Sequence, residues 1–423
     1  MMTKRPMALV CVLVLAAVVL TYGPTLSYGL YWDDFEVLRP WSTADVLSTF
    51  TGAYRPWDPS VAFYRPLTAV YYALISTLWG FNAVPMHVIP LAGIATLAWL
   101  TVLFVWRETD DVSMAAIAGV LTVTHPELTS SIGPWIANQY HTFMAIALVA
   151  ALLIWQRHRD TSTPWWWRVA PWLIAAAWFK EDGLLLPLAF AALPWCRARM
   201  RGEVTASRLA PWLTLGALTI GLILWRSLWL TTAYGYGLRE PADMLANFLR
   251  APRYVLLLQV GPGVVAWPAM VAKGVVLAAA MWVLVRARHS ASATLIVVGG
   301  VVMLATNLPL AMVSSEGRWH LVGWGAVLLT SGALGAVIAR APRVGWAVAM
   351  AVVVALSASG VERLHTFAPC TDDWLARVHE MSTMEGLPME MRDWMTSQSA
   401  ACHDDRYAPF ETPMRALTWP PPR

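Results

Sequence analysis

Charged residues are scarce in this chain, and those that could do chemistry fall in short clusters. In YWDDFEVLRP, at 31–40, the carboxylates Asp33 and Asp34 are adjacent, with Glu36 and Arg39 close behind. A carboxylate within hydrogen-bonding reach of a hydroxyl can act as its general base. Neighbouring side chains diverge, to opposite faces of an extended segment or by about 100° on a helix. Asp33 and Asp34 are therefore ill suited to share a proton; one would face a substrate while the other orients a neighbour. The bland reading of the same pair is a solvated loop or a helix cap. Further clusters follow: FYRPL at 63–67 with Arg65, HPELTSS at 125–131 with His125 and Glu127, FKEDG at 179–183 with Lys180, Glu181 and Asp182, and SSEGRWH at 314–320 with Glu316, Arg318 and His320. His125 and His141 are separated by a loop, His87 stands in an apolar run, and no H-E-x-x-H spacing occurs, so zinc is not expected.

The elements that must carry these clusters are apolar. Of 423 residues 58% are hydrophobic and 13% charged, against about a quarter charged in soluble domains. Mean hydropathy is +0.53, and 25 tryptophans suit membrane interfaces. A net charge of +4 with no basic–aromatic patch excludes nucleic acid as a partner. Apolar runs predict about eleven spans, near 6–24, 84–106, 113–125, 136–156, 165–179, 184–197, 209–231, 268–286, 293–311, 319–339 and 344–360. The first is read as a retained span behind Lys4 and Arg5, since no small-residue cleavage site follows it. The stretch 66–80, within a first outer loop at 25–83, is read as a helix lying in the outer interface.

Basic residues set the orientation. Arg107, Arg157, Arg159, Arg168, Arg197, Arg199, Arg201, Arg208, Arg286, Arg288, Arg340 and Arg343 fall on the side of Lys4 and Arg5, and the acidic clusters fall on the other. The expectation is a multi-pass protein of the plasma (inner) membrane with a cytoplasmic N-terminus. Residues 1–360 form the membrane domain, and 361–423, which are polar, form a small extracytoplasmic module. Cys370 and Cys402 lie in that module, where an oxidising compartment permits a bridge.

The order WDD, YRPL before an amphipathic helix, HPE with WI, FKED leading into LLLP, and EGRW resembles the GT-C class of integral-membrane glycosyltransferases. It is most similar to the branch of the protein O-mannosyltransferase-like and tetratricopeptide-associated transmembrane mannosyltransferases. The resemblance covers roughly residues 20–335 by order and spacing; the branch has a Ser-Lys-Glu-like turn where this chain has FKED, and no tetratricopeptide repeats follow here. It implies an all-α GT-C-like bundle that transfers a sugar from a polyprenyl-phosphate donor lipid to a hydroxyl acceptor, with inversion, at the outer face of the cell envelope. The acceptor would be a glycan, lipid or protein. Asp33 is then the catalytic base and Asp34 its support. A lipid phosphate leaving group needs cations rather than an acid, and a guanidinium pairs two phosphate oxygens. Arg318, Arg65 and Lys180 are the candidates, each also readable as a snorkelling residue or a carboxylate's partner. Glu36, His125, Glu127, Glu181, Asp182 and Glu316 are supporting. No cofactor is expected, although WDD and Glu36 offer oxygen ligands to a divalent cation.

The rival class is a transporter or flippase for a lipid-linked or small polar substrate. It would tend to show inverted repeats, broken helices and charges near the bilayer midplane. No repeat is visible, while Gly261, Pro262 and Gly263 could break a helix.

Overall fold

A computed structural model of the protein describes residues 4–27, 37, 40–56, 63–80, 82–126, 128–129, 136–159, 164–201, 209–229, 244–246, 248–249, 266–312 and 320–365. Cys370, Cys402 and the whole expected extracytoplasmic module lie outside these residues. The described part is helical: α1 (Lys4–Tyr22), α2 (Thr43–Ser48), α3 (Pro66–Trp79), α4 (Ala83–Thr109), α5 (Val112–Thr124), α6 (Tyr140–His158), α7 (Trp166–Phe179), α8 (Leu186–Arg201), α9 (Leu209–Trp229), α10 (Ala266–Arg286), α11 (Ala291–Met312), α12 (His320–Arg340) and α13 (Pro342–His365). A helix lies at each of the eleven expected span positions. Eight of them are long and apolar enough to cross a membrane, while α5 is apolar but only 13 residues long.

Burial sorts the spans by position. In α12, 94% of the best apolar window is buried, whereas in α1 and α9 it is 28%, so α12 runs through the centre and the other two line the edge. Close packing of α11 on α12 requires glycine. A Cβ on Gly325 would fall 2.6 Å from the Gly299 carbonyl oxygen, and one on Gly299 would fall 2.4 Å from the Gly325 oxygen. Where lipid removes the hydrophobic drive between helices, such backbone approach is what packs them.

The two ends of the bundle differ. At one end the Arg159 Nη1 donates to Glu108 Oε2 at 2.7 Å, Gln156 Nε2 donates to the same oxygen at 2.9 Å, and Arg168 Nη1 meets His158 Nε2 at 2.8 Å. These contacts bring the end of α4, the end of α6 and the start of α7 together, with Arg159 and Arg168 among the arginines expected on the cytoplasmic side. The opposite end receives α3, whose N1 position is Pro66. Helix α3 buries Thr68, Ala69, Tyr72, Ile75 and Ser76 and exposes Val70, Leu74 and Leu78 one turn apart. An apolar exposed stripe on a short helix suits one lying against lipid, as the interfacial reading of 66–80 requires.

Candidate functional site

The site end is built around the turn after α7. The Lys180 amide closes α7 on the Ala176 carbonyl at 3.1 Å. A single 3-10 turn, Glu181–Gly183, then reverses the chain, with Gly183 N donating to Lys180 O and Leu184 N to Glu181 O, both at 3.0 Å. The reversal is tight: a Cβ on Gly183 would sit 2.7 Å from Ala176 C and Ala177 N. Backbone cannot swing aside as a side chain can, so glycine is required at this position.

That turn carries three ionisable side chains inside the protein. Lys180, Glu181 and Asp182 are 2%, 7% and 3% exposed, and Arg65, arriving from the loop before α3, is 3% exposed. Arg65 grips Glu181 with two hydrogen bonds, Nε to Oε2 at 2.7 Å and Nη2 to Oε1. Lys180 Nζ donates to Asp182 Oδ2 at 2.5 Å. Aromatic faces complete the cation's surroundings. The Arg65 guanidinium lies 4.2 Å from the Phe63 ring centroid, 4.8 Å from Tyr140 and 5.6 Å from Tyr54, and the Lys180 ammonium lies 5.9 Å from the same Tyr140. Desolvated cations over aromatic faces gain up to about 2 kcal/mol each.

Burial acts differently on the two acids. It pushes the Glu181 carboxyl up, but the Arg65 guanidinium and the Lys180 ammonium outweigh it and hold the group at about 2. Burial also pushes Asp182 up; there Lys180, with a smaller effect from Arg65, does not fully offset it, and the neighbouring Glu181 charge adds to the rise. The four charges cancel. An ion pair this deep is stable only when hydrogen bonds satisfy its members, and removing one partner costs about 3–5 kcal/mol.

Secondary contacts stitch the first outer loop to this centre. Thr68 Oγ1 donates to the Phe179 carbonyl at 2.7 Å, tying α3 to the end of α7. Tyr54 N donates to Phe63 O at 2.8 Å. The Tyr64 hydroxyl accepts from Trp225 Nε1 at 2.7 Å and donates to Phe50 O at 3.0 Å, so α9 holds the loop from the other side. Phe50 in turn meets Trp178 edge-on at 5.7 Å.

Of the residues singled out in the sequence, Arg65, Lys180, Glu181 and Asp182 thus come together although Arg65 and Glu181 are 116 positions apart. His125 caps the end of α5 and is 1% exposed, its carbonyl accepting from Leu128 N at 2.9 Å. Asp33, Asp34, Glu36, Glu127, Glu316 and Arg318 lie outside the described residues. Val37, just beyond the acidic pair, is buried and accepts from Trp41 Nε1 at 2.9 Å. The sequence reading missed Tyr140 and the Tyr64–Trp225 bond, since aromatic residues are common throughout this chain. It also gave no role to Lys273 and Arg226, two cations buried within α10 and α9 at 4% and 8% exposure; an ionisable residue inside a span was the available signal. Among the described residues no three His, Cys, Asp or Glu side chains group as metal ligands.

No family model and no curated protein matches the chain. Two solved structures do, both of the oligosaccharyltransferase of Archaeoglobus fulgidus. With the form tethered via a disulfide bond to an acceptor peptide containing the NVT sequon, the TM-score is 0.54 at 12% identity, over 99% of this chain and 61% of that one. With the apo form the TM-score is 0.52 at 12% identity, over 100% of this chain and 62% of that one. The chain therefore spans less than two thirds of the length of the protein it is similar to. At this identity the likeness is one of fold, and the fold is the all-α polytopic membrane architecture of the GT-C class.

Proposed function

We propose that this protein is a glycosyltransferase that moves a sugar from a polyprenyl-phosphate donor to a hydroxyl acceptor, with inversion, at the end of the bundle that holds the Arg65–Asp182 cluster. The observation that carries the reading is this buried, charge-balanced cluster on a GT-C fold, assembled from two of the motifs that resemble the GT-C enzymes. The mannosyltransferase branch remains part of the proposal, as does the orientation that puts this end outside the plasma membrane.

Within this reading Asp33 takes the proton of the acceptor hydroxyl and Asp34 orients a neighbour. The oxygen lone pair forms the new bond to the anomeric carbon as the bond to phosphate breaks. Its electron pair leaves on the lipid phosphate, where charge grows and cations lower the barrier. Arg318 is the first candidate for that phosphate, because Arg65 and Lys180 each already serve a carboxylate. Arg65 keeps Nη1 clear of Glu181, and Lys180 keeps the N–H groups that Asp182 does not use. Both can therefore add to the field at the phosphate without leaving their partners.

The test is transfer by the purified chain in lipid vesicles, using a panel of labelled polyprenyl-phosphate sugars and a hydroxyl-bearing glycan or peptide acceptor. Appearance of label in the acceptor is the expected result. Label that crosses the bilayer unchanged on its lipid would instead identify a flippase and overturn the reading.

A further inference from the structure

Asp182 is placed to do more than partner Lys180. Only its Oδ2 is engaged by a donor among the described residues. The interior holds sealed polar atoms that have no partner, Trp178 Nε1 and Asn307 Oδ1 among them, and Asp182 Oδ1 is not one of these. The side chain keeps 4% of its surface exposed. Oδ1 of this carboxylate is thus without a donor among the described residues, on a residue that is only 3% exposed.

We propose that Asp182 Oδ1 accepts a hydrogen bond from a hydroxyl of the substrate, which makes Asp182 a specificity-determining residue of the transfer reaction. The inference rests on the glycosyltransferase reading and names a contact within it.

The surroundings select a neutral hydroxyl over other donors. Lys180 Nζ stands 2.5 Å from Oδ2, and with Arg65 and Glu181 the cluster already sums to zero charge. A further cation would be repelled by the ammonium and would unbalance the cluster, while a hydroxyl adds a hydrogen bond and no charge. Among the described residues the titratable groups facing Asp182 are Lys180, Glu181 and Arg65, and α11, which packs on this turn, contributes none. The contact is also pre-organised. The 3-10 turn and the ammonium fix the carboxylate plane, so little freedom is lost when a hydroxyl binds. Either the transferred sugar or the acceptor can supply that hydroxyl.

Asp182→Asn is the diagnostic change. Lys180 demands an oxygen, so the amide oxygen takes the Oδ2 position and the NH2 group takes that of Oδ1. The amide then offers an N–H where the carboxylate offered an acceptor, so a substrate hydroxyl can only accept there and its charge-assisted bond is lost. In the vesicle assay, the expected loss in kcat/KM is about 10- to 150-fold, equivalent to the ~1.5–3 kcal/mol of a hydrogen bond to a charged group. Asp182→Asn also takes one charge from the balanced cluster, so the unfolding midpoint in detergent should fall, and kcat/KM is compared at a temperature where both proteins are folded. Donors lacking one sugar hydroxyl at a time, and acceptors lacking neighbouring hydroxyls, then identify the source. For the hydroxyl that Asp182 holds, the wild type should lose about as much on deoxygenation as on Asp182→Asn, and the variant should lose nothing further. That collapse in a sugar arm assigns the donor, and in an acceptor arm the acceptor. A loss that stays additive with every deoxy compound overturns the inference, as does a variant within about threefold of wild type. A fall in activity that only tracks a lowered unfolding midpoint also overturns it, because Asp182 is then structural. No transfer by the wild-type chain sinks the glycosyltransferase reading itself, an outcome distinct from wild-type transfer that ignores Asp182.

Discussion

Removing the guanidinium from Arg65 should expose how strongly the cluster depends on internal neutralisation. Arg65→Met keeps most of the side chain's bulk and deletes both hydrogen bonds to Glu181, the 2.7 Å bond from Nε and the one from Nη2. It also deletes the stacking over Phe63 and Tyr140. Stripping one partner from a buried ion pair costs about 3–5 kcal/mol. The orphaned Glu181 will protonate rather than stay charged without a partner, which holds the loss near the lower end, about 3 kcal/mol. Arg65→Lys keeps the charge but cannot bond both carboxylate oxygens, so its loss should be smaller, about 1–2 kcal/mol. Arg65→Met combined with Glu181→Leu removes both charges and should recover most of the stability lost in the single variant. The assay is the midpoint of thermal unfolding in detergent, followed by tryptophan fluorescence. An Arg65→Met protein that melts with wild type, or a double variant no more stable than the single, would refute the reasoning.

Other predictions follow from the same turn and from the motifs around it. Gly183→Ala puts a methyl 2.7 Å from the backbone of Ala176 and Ala177; the turn must open, and both unfolding midpoint and transfer should fall together, by about 1–3 kcal/mol in stability. Glu181 is held at about 2, below its ordinary 4.5, so its share of stability is complete above pH 4.5 and disappears as pH falls toward 2. Asp182, held above its ordinary 3.8, runs the other way and gains as pH falls through its raised value. Unfolding midpoints at about pH 6 and about pH 3 should therefore drop for wild type and drop less for Glu181→Gln. Arg318→Lys should weaken use of the donor and Arg318→Ala should weaken it further, seen as a rising donor KM with falling turnover; unchanged kinetics for both would mean that Arg318 only reaches for lipid headgroups.

How far the sequence could be read depended on the range of the interaction. The apolar runs announce themselves locally, and a helix stands at each of the eleven expected positions, from α1 to α13. The stretch 66–80 was likewise legible as a helix, and α3 spans Pro66–Trp79, although the exposed stripe Val70, Leu74, Leu78 is seen only in the fold. The partnership of Arg65 with Glu181 was not visible, because its members are 116 residues apart and meet only when α3 docks on the end of α7. Lys180 and Asp182 are neighbours in sequence, yet nothing in FKEDG says that all its charges are buried; that follows from the close approach of Gly183 to α7. Tyr140 opens an apolar span like many others here, and only the folded chain puts it beneath two cations. Lys273 was the opposite case, a signal present in the sequence and passed over, since a lysine within a span is costly enough to be meaningful.

The most direct test of the account is one comparison in vesicles that carry a labelled polyprenyl-phosphate sugar in the leaflet facing the Arg65–Asp182 end. Wild type should transfer label to a hydroxyl acceptor. Asp33→Asn, inserted to the same level and binding the donor equally well, should transfer about 10²–10⁴-fold more slowly, as loss of a general base requires. Transfer at the wild-type rate by Asp33→Asn would contradict the mechanism, and no transfer by wild type with any donor would contradict the function.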